Sequence, residues 1–560
     1  MEKTLIKLYI FLIINLLFAR VPDAVGENGV VVSSHELASK IGLEVLKDGG
    51  NAIDAAIATG FALAVVHPGA GNIGGGGFMV IRLADGRVTT IDFRETAPAA
   101  AFRDMFLDDS LNVIPGKSWQ TSWAAGVPGS VAGFGLAYEK YGSTNWEDLV
   151  KPAVELASNG FPLDYQNMNT FNHPYYQEYL SNDNESAKIF SKEEPFTLYH
   201  AFIQDDLGET LERIANNGWT EFYIGKTAEM IGNCMQRTKG FITQADLKNY
   251  QAVERNPISF NYRGYEVHSM PPASSGGITI AGILNQLENI DLDSLDYHSA
   301  QHIHFVAEAE RRVYADRAEF MGDMDFVPVP IDKLISDEYA NDRWKSVDTL
   351  MASKSEDISH GDIPFLESEE TTHYSVVDKW GNAVSVTTTV NGWFGSGIVV
   401  DGAGFLLNNE MDDFSAKPGV PNAYGLIGNT ANAIESGKRM LSSMSPTIVE
   451  TPDGELFLVL GSPGGSTIIT TTAQVIMNVI DFDMNIEDAV ESYRFHHQWL
   501  PDMIQFESSG FSPETIQALE NRGHAIKYRG SIGEANCIQV EDGLIFGSAD
   551  SRRNSSAVGY

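Results

Sequence analysis

The stretch from Glu370 to Phe414 reads E-TTHYSVV-DKWGN-AVSVTTTV-NGWFGSGIVVDGAGFLLNNEMDDF, and it constrains the fold more than any other part of the chain. Two runs rich in β-branched residues, Thr371 to Val377 and Ala383 to Thr389, flank a turn-forming cluster from Asp378 to Asn382. Such a pair of runs around such a cluster is typical of a β-hairpin. The sequence therefore predicts a hairpin whose first residue is a threonine.

A hairpin symmetric about Trp380 places Thr371 directly across from Thr389. Opposed residues of antiparallel strands have Cβ atoms about 4.5–5.5 Å apart, which is within hydroxyl-to-hydroxyl reach. The preceding segment, Ser353 to Glu370, is rich in acidic and polar residues, so we expect an exposed, mobile linker. A linker that ends at a threonine opening a strand indicates cleavage before Thr371, with the new amine as general base for its own hydroxyl.

The composition fits a large globular protein and disfavours two classes of partner. With 560 residues, of which 43% are hydrophobic, the chain can bury a large core. A formal charge of -37 disfavours nucleic acid and anionic lipid as partners. Cys234 and Cys537 are the only cysteines, and either one disulfide or two free thiols fits the sequence.

The first residues have the layout of a signal peptide. Lys3 and Lys7 precede an apolar run from Leu8 to Ala19 that is short for a membrane span. We therefore predict a signal peptide over residues 1–24, cleaved near Ala24, and an exported protein, periplasmic or secreted. Retention as a signal anchor is the minority alternative.

Glycines divide the chain ahead of the hairpin. Between Gly29 and Val66 the apolar spacing, broken at Asp48-Gly49-Gly50, predicts a short strand and two helices. Gly69, Gly71 and Gly74 match G-x-G-x-x-G, but a helix precedes them and a strand follows, the wrong context for a dinucleotide site. We interpret these glycines as close backbone packing beside the active site.

Three polar features each allow a structural and a chemical interpretation. Arg94, after the predicted hairpin from Gly77 to Asp92, could form a surface ion pair or supply the planar bidentate donor that a carboxylate needs. The acidic cluster from Glu410 to Asp413 could be a solvated turn, a metal site or an ammonium receptor. Ser442 and Ser443 could begin a strand, or could complete a carboxylate pocket near Arg94.

A strand, a glycine loop and a helix follow one another as ELFLVL, GSPGG and STIITTTAQVIMNVI. This order presents backbone N–H groups to an anion, so Gly464 and Gly465 are candidates for an oxyanion hole. A phosphate cradle is the runner-up, and the missing lysine argues against it. The HxH pair His302 and His304 lies in a helical stretch, where positions i and i+2 point apart, so we predict no metal site there.

Separated stretches of the chain form one set of motifs. They are DFRETAPA (92–99), AERRVYADRAEFMGD (309–323), TTHYSVVD (371–378), the Thr389/Asn391 pair, LLNNEMDDFSAKPG (406–419), KRMLSSMSPT (438–447) and GSPGGS (461–466). Together they resemble the γ-glutamyltranspeptidase (γ-glutamyltransferase, glutathione hydrolase) family of the Ntn-hydrolase superfamily, from about Gly29 to the C-terminus. The resemblance implies an α+β fold, a four-layer αββα sandwich.

The same resemblance implies a precursor that cuts itself between Glu370 and Thr371. The products would be a large subunit, 25–370, and a small subunit, 371–560, which together form the one αββα domain. Thr371 would then attack the substrate and its free α-amine would act as base, while Thr389 would hydrogen-bond the Thr371 hydroxyl. Gly464 and Gly465 would bind the oxyanion.

Substrate contacts follow from the resemblance in the same way. The α-carboxylate of a γ-glutamyl group would be bound by Arg94, Ser442 and Ser443, and its α-ammonium by Asn391, Glu410 and Asp413. Bacterial members of the family often carry Gln at the position of Glu410. The polar stretch between Phe414 and Lys438 resembles a lid loop, with Tyr424 as its gate residue; a simple surface loop is the alternative.

The implied function is that of an exported γ-glutamyl transferase and hydrolase. Its donors would be glutathione and related γ-glutamyl compounds, and its acceptors water, amino acids or dipeptides. No cofactor is expected, because an activated hydroxyl and an oxyanion hole suffice for acyl transfer. Two alternatives stay open: a related acylase acting on glutaryl cephalosporins or poly-γ-glutamate, which needs no ammonium receptor, and an unprocessed, inactive binding homologue.

Overall fold

Two seven-stranded antiparallel sheets lie face to face, and helices cover both outer faces. The computed structural model describes residues 21–192, 194–358, 371–417, 419–420, 422 and 425–560. The two sheets and the two helix layers confirm the predicted α+β architecture with four layers. Tyr424 and Glu370, to which the sequence assigns a gate and the cleavage site, lie outside the described residues.

Each sheet takes strands from both sides of Thr371. The first sheet consists, from edge to edge, of β1 (Ala24–Gly26), β18 (Leu544–Ala549), β17 (Asn536–Glu541), β13 (Leu456–Leu460), β12 (Thr447–Glu450), β9 (Tyr265–Ser269) and β8 (Ile258–Tyr262). The second consists of β19 (Ser556–Gly559), β2 (Gly29–Ser33), β10 (Thr372–Asp378), β11 (Ala383–Thr389), β3 (Gly76–Arg82), β4 (Val88–Asp92) and β7 (Val253–Arg255).

The helices form two separate outer layers. The layer on the second sheet contains α1 (Glu36–Lys47), α2 (Ala52–Val66), α3 (Ser130–Tyr141), α4 (Trp146–Asn159), α5 (Tyr165–Asn172), α6 (Pro174–Ser181), α7 (Asn184–Phe190), α8 (Asp205–Asn217), α9 (Glu221–Ile224), α10 (Lys226–Thr238) and α11 (Gln244–Asn249), with the short strands β5 (Phe161–Pro162) and β6 (Ala201–Phe202). The layer on the first sheet contains α12 (Gly276–Leu287), α13 (Ala300–Phe320), α14 (Ile331–Leu334), α15 (Asp337–Trp344), α16 (Thr467–Ile480), α17 (Ile486–Glu491) and α18 (Pro513–Asn521), with a small sheet of β14 (Phe495–His496), β15 (Ile504–Glu507) and β16 (Ile526–Arg529).

Alternation along the strands assigns each side chain to a layer. In β2, Val30 and Val32 pack between the two sheets, whereas Val31 packs against helices. The hairpin strands obey the same period of two, since Val377 and Ala383 lie between the sheets. Thr371 lies an even number of residues from Val377, and Thr389 lies an even number of residues from Ala383. They therefore belong to the inner face, between the sheets.

The central hairpin has the predicted register. Thr372 pairs with Thr388 and Val377 pairs with Ala383, so one further step places Thr371 opposite Thr389, as symmetry about Trp380 requires. At the turn, Asp378 Oδ1 accepts hydrogen bonds from the backbone N–H groups of Trp380 at 2.9 Å and Asn382 at 3.0 Å. The register is therefore fixed by local turn chemistry.

The predicted pair of helices and the predicted glycine packing are both confirmed. Helices α1 and α2 are separated at Asp48 to Gly50, where Gly49 has φ +99°. A Cβ added at Gly74 would lie 2.1 Å from the carbonyl oxygen of Leu406, and one at Gly71 would lie 2.3 Å from that of Leu63. Only glycine allows this approach, because any side chain would collide with backbone.

The described start of the predicted linker corrects one expectation. Lys354 and Glu356 are exposed, but Ser355 is only 1% exposed. Its N–H donates to Asp502 Oδ2 at 2.8 Å and its hydroxyl donates to the carbonyl of Trp499 at 2.6 Å. These partners are distant in sequence, so composition alone suggested an exposed segment. Residues 359–370 lie outside the described residues.

Two other predictions concern termini and thiols. Residues 1–20 lie outside the described residues, and Ala24, near the predicted signal cleavage point, begins β1.

Cys234 and Cys537 are both free and buried, and they belong to different outer-layer clusters, so the disulfide alternative does not hold. Among the described residues, no helix combines the length and apolar character of a membrane span.

Candidate active site

A pocket lies beside the first residue of the hairpin, with about 550 Å³ of empty space that includes open solvent. It is lined by eight of the predicted site residues: Arg94, Thr371, Thr389, Asn391, Asp413, Ser442, Ser443 and Gly465. These residues come from segments that are far apart in the sequence, so the fold brings the separate motifs to one place. The predicted residues Glu410 and Gly464 lie beside this lining rather than in it.

The hairpin supplies the threonine pair. Thr371 and Thr389 are 4% and 3% exposed, and both line the pocket. Thr389 Oγ1 accepts a hydrogen bond from the backbone N–H of Asn391 at 2.8 Å, and Asn391 has φ +73°. In the described structure, no hydrogen bond joins the Thr371 and Thr389 hydroxyl groups. The predicted orienting bond between them therefore stays a prediction.

The glycine loop lies between β13 and α16, as predicted. Gly464 and Gly465 have φ values of +134° and +56°, which favour glycine. Their carbonyls accept from the N–H groups of Thr467 and Ile468, but their own N–H groups donate to no acceptor within the described part of the chain. Free amides at a helix N-terminus fit an oxyanion hole.

Arg94 directly joins the two predicted halves of the substrate site. Its guanidinium donates to Glu410 Oε2 at 2.5 Å and to Asp413 Oδ2, and its Nε donates to the carbonyl of Met440 at 3.2 Å. Glu95, which carried no predicted role, lies 3.5 Å from the same guanidinium. The carboxylate pocket and the ammonium receptor were expected as separate groups, whereas here they form one ion-pair network.

Burial controls the protonation of this network. Burial raises the pKa of Glu95 to about 8, although Arg94 lowers it. Burial also raises the pKa of Glu410 well above its ordinary value, and that of Asp413 above its own. One arginine thus faces three carboxyl groups in a buried site, and Glu95, with a pKa of about 8, keeps its proton at neutral pH. The network then holds fewer negative charges than its residue types suggest.

Ser442 and Ser443 lie in the pocket next to an arginine that the sequence left without a role. Arg317 donates from its guanidinium to Ser443 Oγ at 3.2 Å and from Nε to Ser275 Oγ at 2.9 Å. It is 4% exposed and lines the pocket. The only sequence signal was its position in the AERRVYADRAEFMGD stretch, whose helical pattern does not show which side chain reaches the site.

The segment predicted as a lid covers one side of the pocket. Val420, Asn422, Leu426 and Ile427 belong to its lining. Asn422 donates from its side-chain amide to Asp413 Oδ1 at 3.1 Å. This contact ties the segment to the ion-pair network, so it is more than a simple surface loop.

The described residues bring one group of possible metal ligands together: His304, Glu308 and His524. His302 is not part of it, which agrees with the prediction that His302 and His304 point apart. Glu308 is already paired with Arg311 at 3.2 Å and Arg312 at 2.6 Å. None of the three ligands lines the pocket. Two neighbouring arginines disfavour a cation there.

Comparisons with known proteins identify the family of this chain. The family model described as Gamma-glutamyltranspeptidase matches residues 38–560. A glutathione hydrolase proenzyme of Escherichia coli (strain K12) is 51% identical over 94% of this chain and 90% of its own length. The structure of a γ-glutamyltranspeptidase from Helicobacter pylori has a TM-score of 0.57 and 46% identity, and covers 58% of this chain and 94% of that chain. A cephalosporin acylase from Bacillus halodurans has a TM-score of 0.83 and 25% identity, with 97% of both chains covered.

Proposed function

Because the chain belongs to the γ-glutamyltranspeptidase family, we propose that it is an exported proenzyme that cuts itself before Thr371 and then transfers γ-glutamyl groups. The observation that carries this proposal is the pocket in which Thr371, Thr389 and the glycine loop meet the Arg94 network. Nucleophile, oxyanion donors and charge recognition lie within one cavity. These are the parts that acyl transfer requires.

Self-cleavage uses the Thr371 hydroxyl as nucleophile. The hydroxyl oxygen attacks the carbonyl carbon of Glu370, the Glu370–Thr371 peptide bond breaks, and its nitrogen becomes the free α-amine of Thr371. Water then hydrolyses the resulting ester. The products are a large fragment, which ends at Glu370, and a small fragment, which begins at Thr371 and stays associated with it.

Turnover repeats the same attack on a substrate amide. The Thr371 hydroxyl gives its proton to the α-amine and attacks the γ-carbonyl carbon of the donor, while the amides of Gly464 and Gly465 bind the oxyanion. The amine product leaves with a proton, and an ester of Thr371 remains. Water, an amino acid or a dipeptide then takes the acyl group. No step needs a redox agent or a metal.

The charge network favours an amino-acid zwitterion over other donors. A γ-glutamyl group carries one carboxylate and one ammonium on the same carbon. These charges can replace the Arg94–Asp413 contact with two matched contacts, carboxylate to Arg94 and ammonium to Asp413. A donor with only one of these charges would leave either Arg94 or Asp413 without a partner, which is costly in a buried site. Glutathione and related γ-glutamyl compounds satisfy both.

A glutaryl acylase is the second candidate, because an acylase covers the same length of chain with the same fold. A glutaryl donor has no ammonium, so it would leave Asp413 without a counter-charge once Arg94 bound the donor. The Asp413–Arg94 contact therefore favours the γ-glutamyl donor. The two candidates differ in one measurable ratio, the kcat/KM for a γ-glutamyl anilide over that for a glutaryl anilide.

The test uses the purified wild-type chain beside Thr371→Ala. We expect two bands on a denaturing gel for the wild type, with Thr371 at the N-terminus of the smaller one, and release of the anilide from the γ-glutamyl donor. Fractionation of the expressing cells tests export. A single inactive band for the wild type would contradict the proposal, and preference for the glutaryl anilide would favour the acylase.

A further inference from the structure

We propose that Arg317 is a positioning and specificity-determining residue, which makes the Ser442–Ser443 pair a hydrogen-bond donor toward a substrate carboxylate and gives the pocket a positive charge. This inference rests on the proposed function and deepens it. It concerns a residue at the C-terminal end of α13, in its last turn. The negative end of the helix dipole favours a cation there.

The direction of the hydrogen bonds sets the role of Ser443. An arginine side chain can only donate, so Ser443 Oγ must be the acceptor of the Arg317 contact. Within the described part of the chain, the Ser443 hydroxyl donates to no acceptor. Its single proton is therefore left to point into the pocket, where a carboxylate oxygen can accept it.

A second chain of contacts reaches Ser442. Arg317 Nε donates to Ser275 Oγ, and the Ser275 hydroxyl donates to the carbonyl of Ser442 at 2.7 Å. Ser442 Oγ in turn accepts from the N–H of Met444 at 3.1 Å. Among the described residues it donates to no acceptor, so its proton is also available to a ligand. Arg317 thus supports the Ser443 hydroxyl directly and, through Ser275, the backbone that carries Ser442.

The two arginines of the pocket differ in their charge environment. Arg94 is paired with Glu410 and Asp413. Arg317 forms no ion pair with any carboxylate among the described residues, and its two side-chain partners are hydroxyl groups. Burial of an unpaired cation is costly. A substrate carboxylate at Ser442 and Ser443 would lower that cost, so the pocket is built to prefer an anionic group at this point.

The experiment compares two donors that differ only in that group. A γ-glutamyl anilide carries the α-carboxylate, and a 4-aminobutyryl anilide lacks it but keeps the amine. For Arg317→Gln we expect KM for the γ-glutamyl donor to rise on the order of tenfold to a hundredfold, the size of one charge-assisted contact. The 4-aminobutyryl donor should change by less than about threefold.

Further variants separate positioning from general damage. If Arg317 acts through Ser443, the effects of Arg317→Gln and Ser443→Ala on KM should not add in the double variant. Arg317→Lys keeps the charge but not both contacts, so it should fall between the wild type and Arg317→Gln, and it serves if the Gln variant does not mature. Arg87→Gln, which removes an exposed positive charge far from the pocket, is the control for net charge and should behave as wild type.

The outcomes distinguish this inference from the proposed function. A wild type that releases no anilide refutes the proposed function. If the wild type is active and both Arg317→Gln and Arg317→Lys keep its donor selectivity, the role of Arg317 is overturned and the proposed function stays intact. Strictly additive effects of Arg317→Gln and Ser443→Ala would likewise overturn the positioning role.

Discussion

The pocket has two walls of opposite character. The hairpin wall, formed by Thr371, Thr389 and Asn391, carries no formal charge and comes from one continuous stretch whose register is fixed by its own turn. The ionic wall, formed by Arg94, Asp413 and Arg317, takes its charges from three distant segments. Chemistry on the first wall depends on local geometry. Recognition on the second depends on how buried charges are matched, so the two walls should fail in different ways when altered.

The largest expected effect is on the hairpin wall. Thr371→Ala removes the one hydroxyl that the proposed cleavage and the proposed turnover both use, so the chain should stay in one piece and release no anilide, as measured by denaturing gel and anilide assay. Thr372→Ala is the matched control, because the Thr372 hydroxyl bonds Ser34 Oγ at 2.8 Å instead. An uncut Thr371→Ala protein with wild-type anilide release would show that the nucleophile lies elsewhere.

On the ionic wall, the next largest effect should come from Asp413→Asn. This change leaves Arg94 short of a counter-charge and removes the negative partner for the ammonium. Loss of one partner from a buried ion pair costs at least about 2 kcal/mol, on the order of thirtyfold in kcat/KM.

The loss in Asp413→Asn should fall on the γ-glutamyl donor and spare the glutaryl donor, so the ratio of their kcat/KM values should collapse. The neighbouring Asp412, which accepts from Ser118 at 2.5 Å and does not line the pocket, is the control through Asp412→Asn. Normal donor selectivity in the processed Asp413→Asn enzyme would make Asp413 structural.

Arg94→Lys should have an effect of similar or smaller size, because it keeps the charge and loses the planar fork. Lysine cannot donate to Glu410, Asp413 and the carbonyl of Met440 in the geometry that Arg94 uses. We expect the binding free energy of the γ-glutamyl donor to weaken by about 1.5–3 kcal/mol, so that KM rises on the order of tenfold to a hundredfold. Cleavage should stay intact.

The control for Arg94→Lys is another buried arginine. Arg82 pairs with Glu450 at 2.5 Å and is remote from the pocket lining, so Arg82→Lys should leave KM unchanged. If KM is equally unchanged in Arg94→Lys, then Arg94 does not bind the donor carboxylate.

The smallest effect should come from Glu410→Gln. Burial raises the pKa of Glu410 well above 4.5, which favours the neutral form of the side chain, and the amide resembles that form in shape and charge. Activity at pH 7 should change by less than about fivefold, within about 1 kcal/mol. A loss larger than a hundredfold would show that the site needs an ionised Glu410.

Glu410→Gln should also change how the stability of the protein depends on pH. The folded chain holds the Glu410 proton above pH 4.5 while the unfolded chain loses it, so this group's contribution to stability falls as pH rises above 4.5. Glu410→Gln has no such loss. The Tm of the variant relative to wild type should therefore increase as pH rises above 4.5, and exposed Glu455→Gln is the control.

The difference between the walls also explains what the sequence could predict. Hairpin register, the glycine loop before α16 and the two helices near Gly49 follow from short patterns, because their hydrogen bonds join residues close in sequence. Arg94 and Asp413 were found through motifs, but their direct contact was not, since it depends on two segments meeting in the fold. Arg317 was missed for the same reason. Ser355 was misjudged because its partners Trp499 and Asp502 lie far along the chain.

The second sheet contains strands from both sides of Thr371, which affects how the protein refolds after cleavage. Strand β10 lies between β2, from before the proposed cut, and β11, from after it, and β11 in turn pairs with β3. Neither fragment can complete that sheet alone. Before the cut, refolding joins parts of one molecule and does not depend on protein concentration. After the cut, the same refolding is an encounter between two separate chains, so thermal inactivation of the mature protein becomes slow to reverse in dilute solution, while the uncut chain can still recover.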